Sequence, residues 1–260
     1  MRFSQNKVLE EADRRRMIFD GNAELHIKGL EIDWDKIGPD SYLREIPSIA
    51  EVDDIRFNKQ ITFFVGENGS GKSTLLEAIA VAYGFNPEGG TRNYSFSTYD
   101  SHSELHDAVR LIRGYKKPGW GYFLRAESFY NVASAEEKYS REGGVQPEYY
   151  HMKSHGESFL AMAQSNFNGN GVYLLDEPEA ALSPQRQLTL LLEIVRCVKE
   201  GSQFIIVTHS PILLGIPGAE ILSFDDGVIH PCEYEETDSY QVTEIFINNK
   251  DRILSKLLET

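Results

Sequence analysis

Residues 66–73, GENGSGKS, constrain what this chain can fold into more than any other stretch. They spell G-x-x-x-x-G-K-S and sit between the apolar, β-rich run QITFFV (60–65) and TLLEAIAVAYG, whose apolar residues recur at helical spacing up to Gly84. Strand, glycine loop, helix is the context this motif needs. Glycines let successive backbone N–H groups turn toward one anion at the positive end of a helix. Residues Gly66, Glu67, Asn68, Gly69, Ser70, Gly71, Lys72, Ser73 and Thr74 are therefore the candidate triphosphate cradle. Lys72 would reach the β- and γ-phosphates, and Ser73 would offer its hydroxyl to Mg²⁺. A glycine turn that matches by chance is the alternative, and the flanking strand and helix weigh against it.

Two further stretches supply chemistry. GVYLLDEP (171–178) is an apolar strand ending in Asp176 and Glu177. An acid at that place can hold a Mg²⁺ ion, and the next can act as a positioned base for the attacking water. QFIIVTHS (203–210) is a second buried strand, with His209 at its end, 32 residues after Glu177. Strand C-termini are where α/β sheets place ligands, so His209 could contact the γ-phosphate and sense its loss. An ordinary acidic turn and a core histidine are the plainer readings, and the company of the phosphate loop argues against both.

Around these motifs, apolar runs without alternation are separated by helices, which predicts a parallel sheet covered on both faces. Residues 23–33, AELHIKGLEID, alternate apolar and polar and read as a half-buried strand. A helix is expected over 103–113, capped by Ser103, a strand over 121–128, and a polar surface segment over 133–150. Ser183 and Pro184 open a helix that Gly201 closes. Residues 1–20 read as a charged leader, 86–101 as loop, and 233–260 as a weak strand and a final helix, DRILSKLLE. One domain over 1–260 is expected, with a helical subregion at about 100–165.

Composition narrows the function classes. Of 260 residues, 40 are acidic and 26 basic, for a formal net charge of -14, which favours solubility and disfavours a broad basic face for duplex DNA. Cys197 and Cys232 have no CxxC or Cys/His spacing, so no zinc site is expected, and such sparse cysteine suits a reducing compartment. No run of about 18 apolar residues occurs, so no membrane insertion is expected, and the cytoplasm is the expected location.

Together, GENGSGKST, LLDEPEAALSP and VTHS resemble the Walker A, Walker B with D-loop, and switch histidine of ABC-type ATPases, over residues 60–215. The segment SHGES (154–158), starting 22 residues before Asp176, resembles a degenerate form of that family's LSGGQ-type signature. The resemblance implies that Ser154, Gly156 and Glu157 meet the γ-phosphate held by a second subunit. The same residues also read as a helix cap before SFLAMA. Leu182 and Ser183 stand in the D-loop, with serine where the family has aspartate. No glutamine follows the 121–126 strand, and Glu127 is nearest the place of the family's Q-loop as a metal or water contact. TRNYSFST, HSELHDAVRLIRG, FLRAESFYNVA and LLDEPEAALSPQRQL are similar to a stand-alone subgroup of predicted bacterial ATPases. Arg125, Tyr130, Asn131 and His102 fall in those segments, where packing roles compete with functional ones.

The resemblance implies an α/β P-loop fold with an antiparallel N-terminal β region, using ATP and Mg²⁺ in an ATP-dependent homodimer with an unknown protein or nucleic-acid partner. Glu177, His209 and Lys72 would be the catalytic residues; Ser73, Asp176 and Glu127 would be the metal ligands. A transporter's nucleotide-binding subunit, a small DNA-repair or defence-type ATPase, and a non-catalytic ATP sensor are the alternatives. Only 81 residues separate Lys72 from Lys153, too few for the long coiled coil of structural-maintenance ATPases.

Overall fold

The computed structural model describes residues 24–92, 103–129, 131–134 and 154–258. The leader at 1–20, residues 135–150 of the expected surface segment, His102, Tyr130 and the side chain of His155 lie outside them.

Strand β1 (Ile27–Ile32) pairs antiparallel with β2 (Asp54–Arg56) on one side and β4 (Val109–Arg113) on the other. The second sheet has the order β5 (Trp120–Arg125), β6 (Gly171–Asp176), β7 (Gln203–Val207), β3 (Ile61–Val65), β8 (Glu220–Ser223), β9 (His230–Pro231). All its pairs are parallel except β8 with β9. The longer helices are α1 (Lys72–Tyr83), α2 (His155–Asn166), α3 (Pro184–Lys199) and α4 (Asp238–Leu258).

The central strands alternate between two cores, as the period of two requires. Phe64, Phe123, Val172, Leu174, Ile205 and Val207 face one core with α1 and the antiparallel sheet. Phe63, Tyr122, Tyr173, Leu175, Phe204 and Ile206 face the other, with α2 and α3. Both faces are dry, which is why these strands read as unbroken apolar runs. The two sheets are joined by the buried amide of Gln203. Its Oε1 accepts from the Ile27 N–H and its Nε2 donates to the Ile27 carbonyl, both at 2.8 Å.

The helix expected over 103–113 is a correction. One helical turn spans Leu105–Ala108, and residues 109–113 are strand β4. Leu105, Ala108, Val109 and Ile112 have helical spacing, but the second edge of β1 needs a partner, and that tertiary demand overrides the local pattern. The interval 100–165 thus contains β4, β5 and α2 among its described residues. The final helix starts at Asp238, well before the expected stretch, and departs from helical geometry at Asn249.

Candidate active site

The loop at 66–73 is shaped by glycine. Gly71 takes φ +89 at the N-cap of α1, and a Cβ there would lie 2.5 Å from Ile49 Cδ1 and 2.9 Å from Ile46 Cγ2. Only glycine accepts both the left-handed backbone and the closeness. The loop is held from outside: the Asp225 carboxylate accepts the Glu67 N–H at 2.9 Å, and the Ser48 hydroxyl donates to the Ser70 carbonyl.

Lys72 is buried, at 4% exposure, and folds into the loop. Its Nζ donates to the carbonyls of Gly66 (2.7 Å) and Glu67 (2.6 Å) and reaches Ser70 Oγ at 3.3 Å. Burial lowers its pKa, against the pull of Asp225, Glu177, Asp176 and Glu67. Asn68 and Gly69 are exposed at the loop's crest, and Thr74 is half-buried in the first turn of α1. Beside the loop opens a cleft of about 920 Å³, bounded by Gly66, Glu67, Asn68, His209, Asp225 and the start of α4.

Ser73 and Asp176 meet directly: Ser73 Oγ donates to Asp176 Oδ1 at 2.8 Å. Burial pushes the Asp176 pKa up to about 6, although Arg125 and the Ser73 hydroxyl favour the ionised form. A hydroxyl and a carboxylate oxygen side by side form a hard-donor pair of the kind Mg²⁺ takes together with phosphate oxygens and water. Among the described residues no group of three or more His, Cys, Asp or Glu could cage a metal unaided. The Ser73–Asp176 pair fits a hard cation that takes its remaining ligands from elsewhere.

Glu177 follows in the left-handed region (φ 48, ψ 52), a costly conformation for a residue with a side chain. Its N–H donates to the Val207 carbonyl at 3.0 Å, which fixes the turn. Its Oε1 lies 3.8 Å from His209 Nε2, a buried nitrogen without a hydrogen bond among the described residues. The His209 N–H donates to Glu179 Oε1 at 2.5 Å. Burial raises the pKa of Glu179, partly offset by that bond.

The structure thus brings Lys72, Ser73, Asp176, Glu177 and His209 to the C-terminal ends of β3, β6 and β7. Ser154, Gly156 and Glu157 form a separate cluster at the start of α2. The Ser154 N–H and hydroxyl donate to Glu157 Oε2 (3.0 and 2.6 Å), so the helix cap expected there is present. Arg186 reaches both, with Nη2 3.1 Å from Glu157 Oε1 and Nη1 3.4 Å from Ser154 Oγ. A Cβ on Gly156 would meet Arg186 Nη1 at 2.7 Å and the Ala181 carbonyl at 2.8 Å. Ser183 caps α3 by accepting from the Arg186 N–H. Glu127 is 90% exposed, and its ion partner is Arg125 at 3.9 Å. Its negative charge adds to the upward push on the Asp176 pKa.

Four neighbours of the site escape a reading of the sequence alone: Arg125 as the partner of Asp176, Asp225, Glu179 and Arg186. Their roles come from pairings across 30 to 160 residues, and only the third acid in LLDEPEA offers a local hint for Glu179.

A strand, a glycine loop with its lysine at a helix N-terminus, and a carboxylate at the end of a nearby parallel strand define a P-loop nucleoside-triphosphatase fold. Residues 42–146 match the family model described as "AAA domain". Residues 158–215 match the one described as "AAA domain, putative AbiEii toxin, Type IV TA system". At the general level, both matches are to P-loop ATPase domains. The comparison with curated proteins found no match.

Solved structures are similar to this chain at low identity and with TM-scores below 0.5. The SMC head domain from Thermotoga maritima is 17% identical, with a TM-score of 0.44, covering 80% of this chain and 100% of that one. An SMC head bound to the C-terminal winged-helix domain of ScpA is 16% identical, with a TM-score of 0.48, covering 81% and 99%. The ADP conformation of MJ1267, an ATP-binding cassette of an ABC transporter, is 17% identical, with a TM-score of 0.42, covering 86% and 98%.

Proposed function

We propose that this chain hydrolyses ATP to ADP and phosphate, with Mg²⁺, at an interface between two copies of itself. The observation that carries the reading is the Ser73–Asp176 hydrogen bond at 2.8 Å beside Lys72, with Glu177 next in the chain. It gathers a metal donor pair, a phosphate cation and a base at one end of one sheet. When bound, Mg²⁺ supplies charge neutralisation on the phosphate oxygens.

The chain's own residues do the rest. Amides of residues 66–73 bind the phosphates, and Lys72 exchanges its two loop carbonyls for phosphate oxygen. Glu177 orients a water and takes its proton as the water oxygen bonds to the γ-phosphorus. The bond from that phosphorus to the bridging oxygen breaks, and ADP leaves with the electron pair. His209 Nε2, buried and without a hydrogen bond among the described residues, is available to hold the γ-phosphate and register its departure. The Glu179 carboxylate anchors the backbone of that histidine.

The exposed Ser154 and the Arg186 guanidinium beside it would meet the γ-phosphate held by the other copy, so that the nucleotide joins the dimer. Among the described residues no helix is long and apolar enough to cross a membrane. The test compares wild type with Glu177→Gln for phosphate release and for mass in solution with ATP. The variant should bind ATP, become dimeric and lose at least about a hundredfold in turnover. Equal turnover by both proteins refutes the assignment of the base.

A further inference from the structure

We infer that Arg125 is a positioning residue for the metal site: it grips the outer oxygen of Asp176 so that the inner oxygen faces Ser73. This rests on the reading that the site binds MgATP. The parallel register pairs Arg125 with Asp176 at the ends of β5 and β6. Asp176 Oδ1 accepts from Ser73 at 2.8 Å, while Oδ2 lies 3.5 Å from Arg125 Nε, an ion pair without hydrogen-bond geometry.

The guanidinium is fixed from behind. Its Nη1 donates to Glu77 Oε2 at 2.6 Å and to the Pro87 carbonyl at 3.3 Å. The other Glu77 oxygen accepts the Ser103 N–H at 3.2 Å. Ser73 and Glu77 are four residues apart on α1, hence on one helix face. One face of the phosphate-loop helix therefore holds both oxygens of Asp176, one through a hydroxyl and the other through Glu77 and Arg125. All three charged side chains are largely buried, at 18% exposure for Arg125, 12% for Glu77 and 11% for Asp176.

Such burial is tolerated only when each charge has partners. A guanidinium can serve two carboxylates and a carbonyl at once because its donors form a rigid planar fork; a lysine would serve one direction well. Residues that orient a metal ligand from behind are worth about 10- to 100-fold in metal affinity.

The test uses the full chain carrying Glu177→Gln, so that nucleotide is not consumed. Fluorescent ATP is titrated in EDTA, and then Mn²⁺ is titrated into the ATP complex and followed by its paramagnetic resonance signal. Arg125→Met should weaken Mn²⁺ by at least about tenfold, with ATP affinity in EDTA unchanged within about twofold. Arg125→Lys should recover part of the loss, and Glu77→Gln should weaken Mn²⁺ in the same direction. Should Arg125→Met fail to fold, Glu77→Gln alone decides. Unchanged Mn²⁺ affinity in the folded variants, or equal losses with and without metal, overturns the inference while leaving the ATP site standing. Absence of ATP binding by the Glu177→Gln parent would instead refute the site, and this inference with it.

Discussion

Asp176→Asn should make the nucleotide-free protein more stable at pH 8, even though it removes a residue of the proposed site. Burial lifts the Asp176 carboxyl from its ordinary 3.8 to about 6. A folded-state pKa above the unfolded one means that the native protein binds the proton more tightly. Stability therefore falls as pH rises from about 4 through 6, and the full cost is present above 6. At about 1.36 kcal/mol per pH unit, that gap corresponds to about 3 kcal/mol. An asparagine has no charge to desolvate and escapes most of this. For a chain of this size, 3 kcal/mol is worth roughly 6–12 °C in Tm. The assay is thermal unfolding of both proteins in EDTA, from pH 4.5 to 8. The difference should be largest at pH 8 and shrink steadily below pH 6. With Mg²⁺ and ATP the order should narrow or invert, because only the wild type gains full ligand stabilisation. A variant no more stable than wild type at pH 8, or a difference independent of pH, would refute the claim that a buried charge strains this site.

Two further outcomes follow from the geometry. Gly71→Ala puts a methyl group into Ile49 and Ile46 and forces a left-handed alanine, which should cost about 2 kcal/mol in urea unfolding and at least about tenfold in ATP affinity. Gln203→Leu strips both main-chain groups of Ile27 of their buried partner and should cost about 3 kcal/mol, whereas Gln203→Glu at neutral pH should be no better, since it lacks the amide donor.

How much of this protein could be read from its residues depends on the range of each interaction. The phosphate loop, α1, the acidic end of β6 and the strand before His209 were all legible, because each is dictated within about ten residues. Glycines supply special dihedrals, an apolar run marks a strand buried on both faces, and Ser183 with Pro184 starts a helix. The capping pair Ser154 and Glu157 was legible for the same reason. The apolar spacing of residues 109–113 suits a helix as well as a strand, and only the free edge of β1 decides for a strand.

What remained hidden was register and strand order. The glycine loop at 66–73 and the two acids closing 171–177 are specified by their own neighbours in the chain. The packing of the sheets is what sets β6 and β7 where Asp176 meets Ser73, pairs Arg125 with Asp176, and lets Asp225 brace the loop from 158 residues away. Local rules govern dihedral angles and burial, but a contact between distant side chains depends on how whole sheets stack. That stacking is settled by the summed packing of two cores and by joints such as Gln203, which no short stretch of sequence specifies.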